Sequence, residues 1–133
     1  MKLDKREIAI VAITKNGIEL AKKLQNAFDA VDIFVPSKFQ NPNLSATYFE
    51  ESVNQKMGSL FSNYKSLILV FSLGAVIRLL SPYLKDKKTD PAVVVIDDSA
   101  KFVISTLSGH LGGANELTSQ IADFLKAIPV ITT

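Results

Sequence analysis

The segment richest in chemistry is Ser108-Gly109-His110-Leu111-Gly112-Gly113-Ala114-Asn115-Glu116. It holds the single histidine of the chain. Histidine is the side chain that ordinarily exchanges a proton near neutrality, so His110 is the candidate general base or acid. Water is the first candidate nucleophile for it, and Ser108 beside it the second. Gly112 and Gly113 let backbone N–H groups approach a ligand, and a helix that starts there favours an anion. Asn115 can cap that helix or hydrogen-bond a ligand, and Glu116 follows it in the first turn. Without a ligand, the same string reads as a glycine turn, a capping Asn and a solvated His. It is not a Walker loop, because no Gly-Lys-Ser/Thr follows, and its glycine spacing is not the dinucleotide fingerprint.

Two other segments offer groups for an anionic ligand. Ser72-Leu73-Gly74-Ala75-Val76-Ile77-Arg78 reads as strand, turn and helix start. Gly74 allows close approach at the helix N-terminus, and Arg78, about one turn in, can reach a carboxylate. As an ordinary surface residue, Arg78 would be a solvated helix cation. Lys85-Asp86-Lys87-Lys88-Thr89-Asp90-Pro91 is a charge run. A solvated loop is the default reading of such a run. The functional reading sets Lys85, Lys87 and Lys88 against an anionic substrate, with Asp90 as orienter or acid–base group. Asp97-Asp98-Ser99 reads as a turn only. No Gly-x-Ser-x-Gly elbow is present, which argues against an esterase-type serine.

These segments are joined by alternating strands and helices. Ile8–Ile13, Val31–Val35, Leu67–Phe71, Ala92–Ile96 and Phe102–Thr106 are apolar or β-branched runs of strand length. Helical spacing is expected over Ile18–Phe28, more weakly over Tyr48–Phe61, and again over Ala75–Leu80 and Asn115–Ala127. A last strand begins at Pro129. Ser37–Ser45 reads as a loop. The pattern predicts one α/β domain over 1–133, a three-layer Rossmann- or flavodoxin-like fold with a mostly parallel sheet. The 97–101 turn makes a hairpin of two of the strands, so Lys85–Pro91 and Ser108–Asn115 are expected side by side. If the strand ending at Thr106 runs with the rest, Thr14–Gly17 and Ser72–Gly74 share that edge and Ala92–Ile96 is antiparallel. The reverse choice separates them.

Composition sets the outer limits. In 133 residues there is room for one core, and 47% hydrophobic residues can fill it. With no cysteine and one histidine, thiolate sites, disulfides and multi-histidine metal sites are excluded. The net charge of +2 is too weak to argue for nucleic acid. The charged start Met1–Glu7 has no apolar signal region, and no apolar run is long enough for a bilayer. The expectation is a cytoplasmic protein without membrane partner.

The stretch from Ser72 to Thr133 resembles the N-terminal domain of the cobalamin-biosynthesis CbiG family, the cobalt-precorrin-5A hydrolases. The resemblance is carried by Gly-Ala-Val-Ile-Arg-Leu-Leu-Ser-Pro at 74–82 and Leu-Lys-Asp-Lys-Lys-Thr-Asp-Pro-Ala-Val-Val-Val at 84–95. Leu-Ser-Gly-His-Leu-Gly-Gly-Ala-Asn-Glu-Leu at 107–117 and Pro-Val-Ile-Thr-Thr at 129–133 complete it. Met1–Lys65 matches in its βαβ pattern only. The resemblance implies opening of a δ-lactone on a cobalt-precorrin tetrapyrrole and release of acetaldehyde, in the anaerobic route to vitamin B12. It implies no cofactor of the domain's own, since cobalt arrives within the substrate. It also implies a longer enzyme, of which a middle segment and a C-terminal domain are missing here. Two other readings stand beside it. One is a non-catalytic domain that docks the corrinoid or a partner, a homodimer included. The other is a flavodoxin-like module for phosphate or nucleotide.

Overall fold

A computed structural model describes residues 7–133, and the expectation on the charged leader falls on Met1–Arg6, outside them. The first three elements form where the apolar pattern predicts. β1 (Ile8–Ala12) is buried along its whole length, as expected of a strand with helices on both faces. The turn expected at Thr14–Gly17 is the start of a helix, α1 (Lys15–Gln25). Thr14 is its N-cap, and its Oγ1 accepts from the Gly17 N–H at 2.9 Å, satisfying one donor the helix leaves open. β2 (Asp32–Pro36) lies parallel to β1.

Between β2 and the second helix the structure departs from expectation. Tyr48 and Phe49 belong to a three-residue strand, β3 (Thr47–Phe49), parallel to β2. The helix α2 begins only at Val53 and ends at Asn63, because Ser52 Oγ caps it by accepting from the Gln55 N–H. Such a short edge strand leaves too little alternation to be read from sequence. Then follow β4 (Ser66–Val70), α3 (Leu73–Leu80) capped by Ser72, and β5 (Ala92–Ile96). The last elements are β6 (Phe102–Leu107), α4 (Ala114–Leu125) and β7 (Ile128–Val130).

The seven strands lie in the order β3-β2-β1-β4-β5-β6-β7. All neighbours are parallel except β5 and β6. The tight 97–101 turn makes that pair antiparallel, as a hairpin must. Asp97 holds the turn: its carboxylate accepts from the N–H of Ser99, Lys101 and Phe102 at 2.6–3.2 Å. The parallel strand is therefore β5, and β6 and β7 are the reversed ones. This settles the choice that sequence leaves open, and it parts the segments expected to share an edge.

Alternation along the strands feeds two cores. Ile8, Ile10, Ile68, Val94 and Ile96 pack with α1 and α4. Ala9, Val11, Leu67, Leu69, Val93 and Val95 pack with α2 and α3. Helices thus cover both faces, the three-layer arrangement predicted. Each fully buried Ile or Leu contributes about 1.5–3 kcal/mol relative to its exposed state.

Candidate functional site

Because β6 runs backwards, its carboxyl end meets the amino ends of β4 and β5. The loop 108–113 leaves β6 at this edge, and Lys85–Pro91 enters β5 at the same edge. The two are tied directly: Ser108 Oγ donates to the Asp90 carbonyl at 3.1 Å. Between them and the end of α2 opens a cavity of about 440 Å3, lined among others by Asn63, Lys65, Lys88, Asp90, Leu111 and Gly112. Lys88, Asp90 and Gly112 are thus brought together as expected. Ser62, Asn63 and Lys65 on the opposite wall were not singled out from sequence. Ser62 and Asn63 end α2 and Lys65 precedes β4, and only the fold carries them to the site.

The 108–113 loop is folded tightly on itself. Ser108 takes a left-handed φ of +57°, unusual for a residue with a side chain. A Cβ placed on Gly112 would lie 2.6 Å from Ser108 Cβ and 2.9 Å from the Ser108 carbonyl oxygen. Only glycine fits there. Gly113, at φ +88°, is the N-cap of α4 and offers no side chain to cap it. Among the described residues, the backbone N–H groups of His110, Leu111, Gly112 and Gly113 make no hydrogen bond. They lie in the loop that leads into α4, whose own first N–H groups, of Ala114 and Asn115, donate to the Ser108 and Gly109 carbonyls, and negative charge is favoured at that helix end. Glu116 already places one carboxylate in that first turn.

His110 is exposed, and its imidazole makes no hydrogen bond among the described residues. It makes no hydrogen bond to Ser108, whose hydroxyl donates to the Asp90 carbonyl. Asp90 is engaged as well: both its carboxylate oxygens accept from the Lys85 N–H, at 3.2 and 3.0 Å. That closes the 85–90 loop and presents Lys85, Lys87 and Lys88 to solvent. Asn115 is committed to the framework. Its Oδ1 accepts from Ser105 Oγ at 2.7 Å and its Nδ2 donates to the Thr133 carbonyl at 3.0 Å.

Gly74 lies at the other edge. It sits in the first turn of α3, outside the carboxyl ends of β1 and β4, with nothing within 4 Å of a Cβ built there. Arg78 is exposed in the last turn of α3. The edge shared by Gly74 and Thr14 also holds Asp98, which reaches back from the β5–β6 turn. Thr14 Oγ1 donates to Asp98 Oδ1 at 2.5 Å, and Asn16 Nδ2 donates to Oδ2 at 3.1 Å. Asp98 is therefore more than a turn residue. Among the described residues, no group of three or more His, Asp or Glu stands where it could hold a metal ion, and no helix is long and apolar enough to cross a membrane.

The family model described as "Cobalamin synthesis G N-terminal", CbiG_N, matches residues 55–133 and so takes in both loops of the cavity. The chain belongs to the CbiG N-terminal family. A cobalt-precorrin-5A hydrolase of Priestia megaterium is 53% identical over 130 residues. One from Salmonella typhimurium is 40% identical over 126 residues. This chain spans about a third of their length: 96% and 95% of it align with 35% of each. The solved structure of a cobalamin biosynthesis protein G homolog from Sulfolobus solfataricus superposes with a TM-score of 0.71 at 25% identity. It covers 96% of this chain and 37% of that one. The CbiG likeness read from the motifs of the second half thus holds, and it is broader than they suggest. Identity to the Priestia relative runs over nearly the whole chain, so the first half is more than a shared βαβ pattern.

Proposed function

We propose that this chain forms the part of a cobalt-precorrin-5A hydrolase that binds the macrocycle and attacks its δ-lactone. The observation that carries the reading is one juxtaposition. Lys88, Asp90, Leu111 and Gly112 line a single cavity, in a chain with 53% identity to a hydrolase of that name. A tetrapyrrole with acetate and propionate arms presents carboxylates to Lys85, Lys87 and Lys88 on one loop, and to the open N–H groups of the other. Its cobalt enters as part of the substrate.

In this reading His110 takes a proton from water as the oxygen attacks the lactone carbonyl. The N–H groups of Gly112 and Gly113 receive the tetrahedral oxyanion. Collapse of that intermediate expels the ring alkoxide. The alkoxide then becomes a carbonyl as the carbon–carbon bond to the macrocycle breaks, and acetaldehyde leaves. His110, now protonated, returns the proton to the macrocycle carbon. Asp90 orders the lysine loop, and Ser108 locks the two loops together.

The test is acetaldehyde release from cobalt-precorrin-5A, with macrocycle binding followed by absorbance. His110→Ala should lower turnover by about 10²-fold or more and leave the melting temperature unchanged, since the side chain is exposed. Turnover within a few-fold of the parent would remove His110 from the mechanism. Tight macrocycle binding with no loss of turnover in His110 and Asp90 variants would favour the non-catalytic docking reading.

A further inference from the structure

The two faces of β6 and β7 are treated unequally. On one face α4 crosses both strands, and Val103 is buried beneath it. On the other face Ile104 packs, half-buried, at the margin of the core under α2 and α3, and that cover ends there. The parallel register sets Phe102 beside Ile128 and Ile104 beside Val130, so these four share that uncovered face. Phe102 is 41% exposed and Ile128 57%. Helix α3 carries a second exposed apolar pair. Ala75 and Leu79 are half-buried on one side of that helix, which packs on α2. Leu73 and Ile77 lie on the opposite side, one turn apart, at 37% and 58% exposure. Exposed Phe102, Ile128, Leu73 and Ile77, with half-buried Ile104 and Val130, thus mark a shelf that no helix of the described residues lies over.

The shelf has the dimensions of one secondary-structure element. Two strands are about 10 Å wide, and six residues of β6 about 20 Å long. An α-helix is about 10 Å across, and about 13 residues of it are 20 Å long. Lateral addition of a strand is the poorer fit. The edge strand β7 has three residues, and its central Pro129 has no N–H to offer.

We infer that this shelf seats the apolar face of a helix from the part of the hydrolase-length protein that lies outside the matched region. In two curated relatives and in a solved homologue, this unit is 35–37% of the chain. A face left bare in the unit therefore has about two thirds of those chains from which to draw its cover. The helix completes the third layer over β6 and β7, and its end lies beside the 108–113 loop. The inference does not depend on the chemistry proposed above, and its test involves no substrate.

Hydroxyl-radical footprinting of this chain and of the full-length Priestia megaterium relative decides it, with each residue referenced to its unfolded chain. Covering side chains that start at 41–58% exposure takes them to the burial of an interface core and reduces their labelling several-fold. That loss is expected at the relative's positions aligned with Ile77, Phe102 and Ile128, which label freely in this chain. Equal labelling in the two proteins overturns the inference. Protection at the position of Phe124, on α4, in place of these three overturns it as well. Sedimentation of this chain is the second arm. A monomer is expected, and a dimer that Ile128→Asp dissolves would give the shelf to a second copy and refute the helix.

Discussion

Gly112→Ala adds one methyl group where the structure has no room for it. The new Cβ would stand 2.6 Å from Ser108 Cβ, 2.9 Å from the Ser108 carbonyl oxygen and 3.4 Å from the Ala92 nitrogen. Carbon atoms rest at about 3.5–4.0 Å, so the loop must give by about 1 Å. Neither neighbour yields cheaply. Ala92 is fixed in the sheet between β4 and β6. Ser108 is held in its left-handed conformation by its bond to Asp90 and by the Ala114 N–H on its carbonyl. Overpacking of this kind costs about 1–3 kcal/mol. With about 2.1 cal/mol/K of unfolding entropy per residue, the melting temperature falls by about 4–11 °C. Gly74→Ala is the matched control. It meets nothing within 4 Å and lies in a helix, where alanine is preferred by about 0.5–1 kcal/mol. Its melting temperature should rise by about 2–4 °C. Thermal unfolding followed by far-UV circular dichroism reads both. If Gly112→Ala melts with the parent, or if the two variants shift in the same direction, the reading of a closed, sterically locked loop is wrong.

Two further outcomes follow from buried and capping hydroxyls. Thr118 is fully buried in α4, and its Oγ1 has no hydrogen-bond partner among the described residues. Thr118→Val keeps the shape and removes the unpaired hydroxyl, so stability should rise by about 1 kcal/mol, seen as a higher urea midpoint at unchanged slope. Thr14→Ala removes the cap of α1 together with the bond to Asp98; a loss of about 0.5–2 kcal/mol is expected in the same assay.

Much of the framework was legible because it is written in period and punctuation. Leu67–Val70 and Ala92–Ile96 are unbroken apolar runs, and such runs become strands covered on both faces. The proximity of Lys85–Pro91 to Ser108–Asn115 followed from the hairpin alone. The direction of β6 did not, because a hairpin says that two strands oppose each other and not which one follows the sheet. That single bit of topology sent Gly74 to the far edge. The role of Asn115 was equally hidden, since its partners Ser105 and Thr133 are brought in by β6 and the chain after β7. Asn63 and Lys65 reach the cavity only because α2 ends at the edge where β5 begins. Side chains whose task depends on a neighbour distant in sequence are the ones a local reading cannot assign.

The carboxylate of Asp98, carried on the β5–β6 turn and seated on Thr14 and Asn16, changes what the other edge can accept. In sheets with this strand order, the crevice between β1 and β4 outside their carboxyl ends is the habitual berth for phosphates, which rest on the amino end of the first helix. Here that berth has a permanent tenant of the same charge, tethered to the protein and hydrogen-bonded on both oxygens. A phosphate arriving there meets repulsion of about 1 kcal/mol per unit charge even in water, and it finds the Thr14 hydroxyl already donated. The position that this strand order offers to a phosphate is thus taken by the protein's own side chain, and the edge left open to anions is the reversed one, where β6 ends.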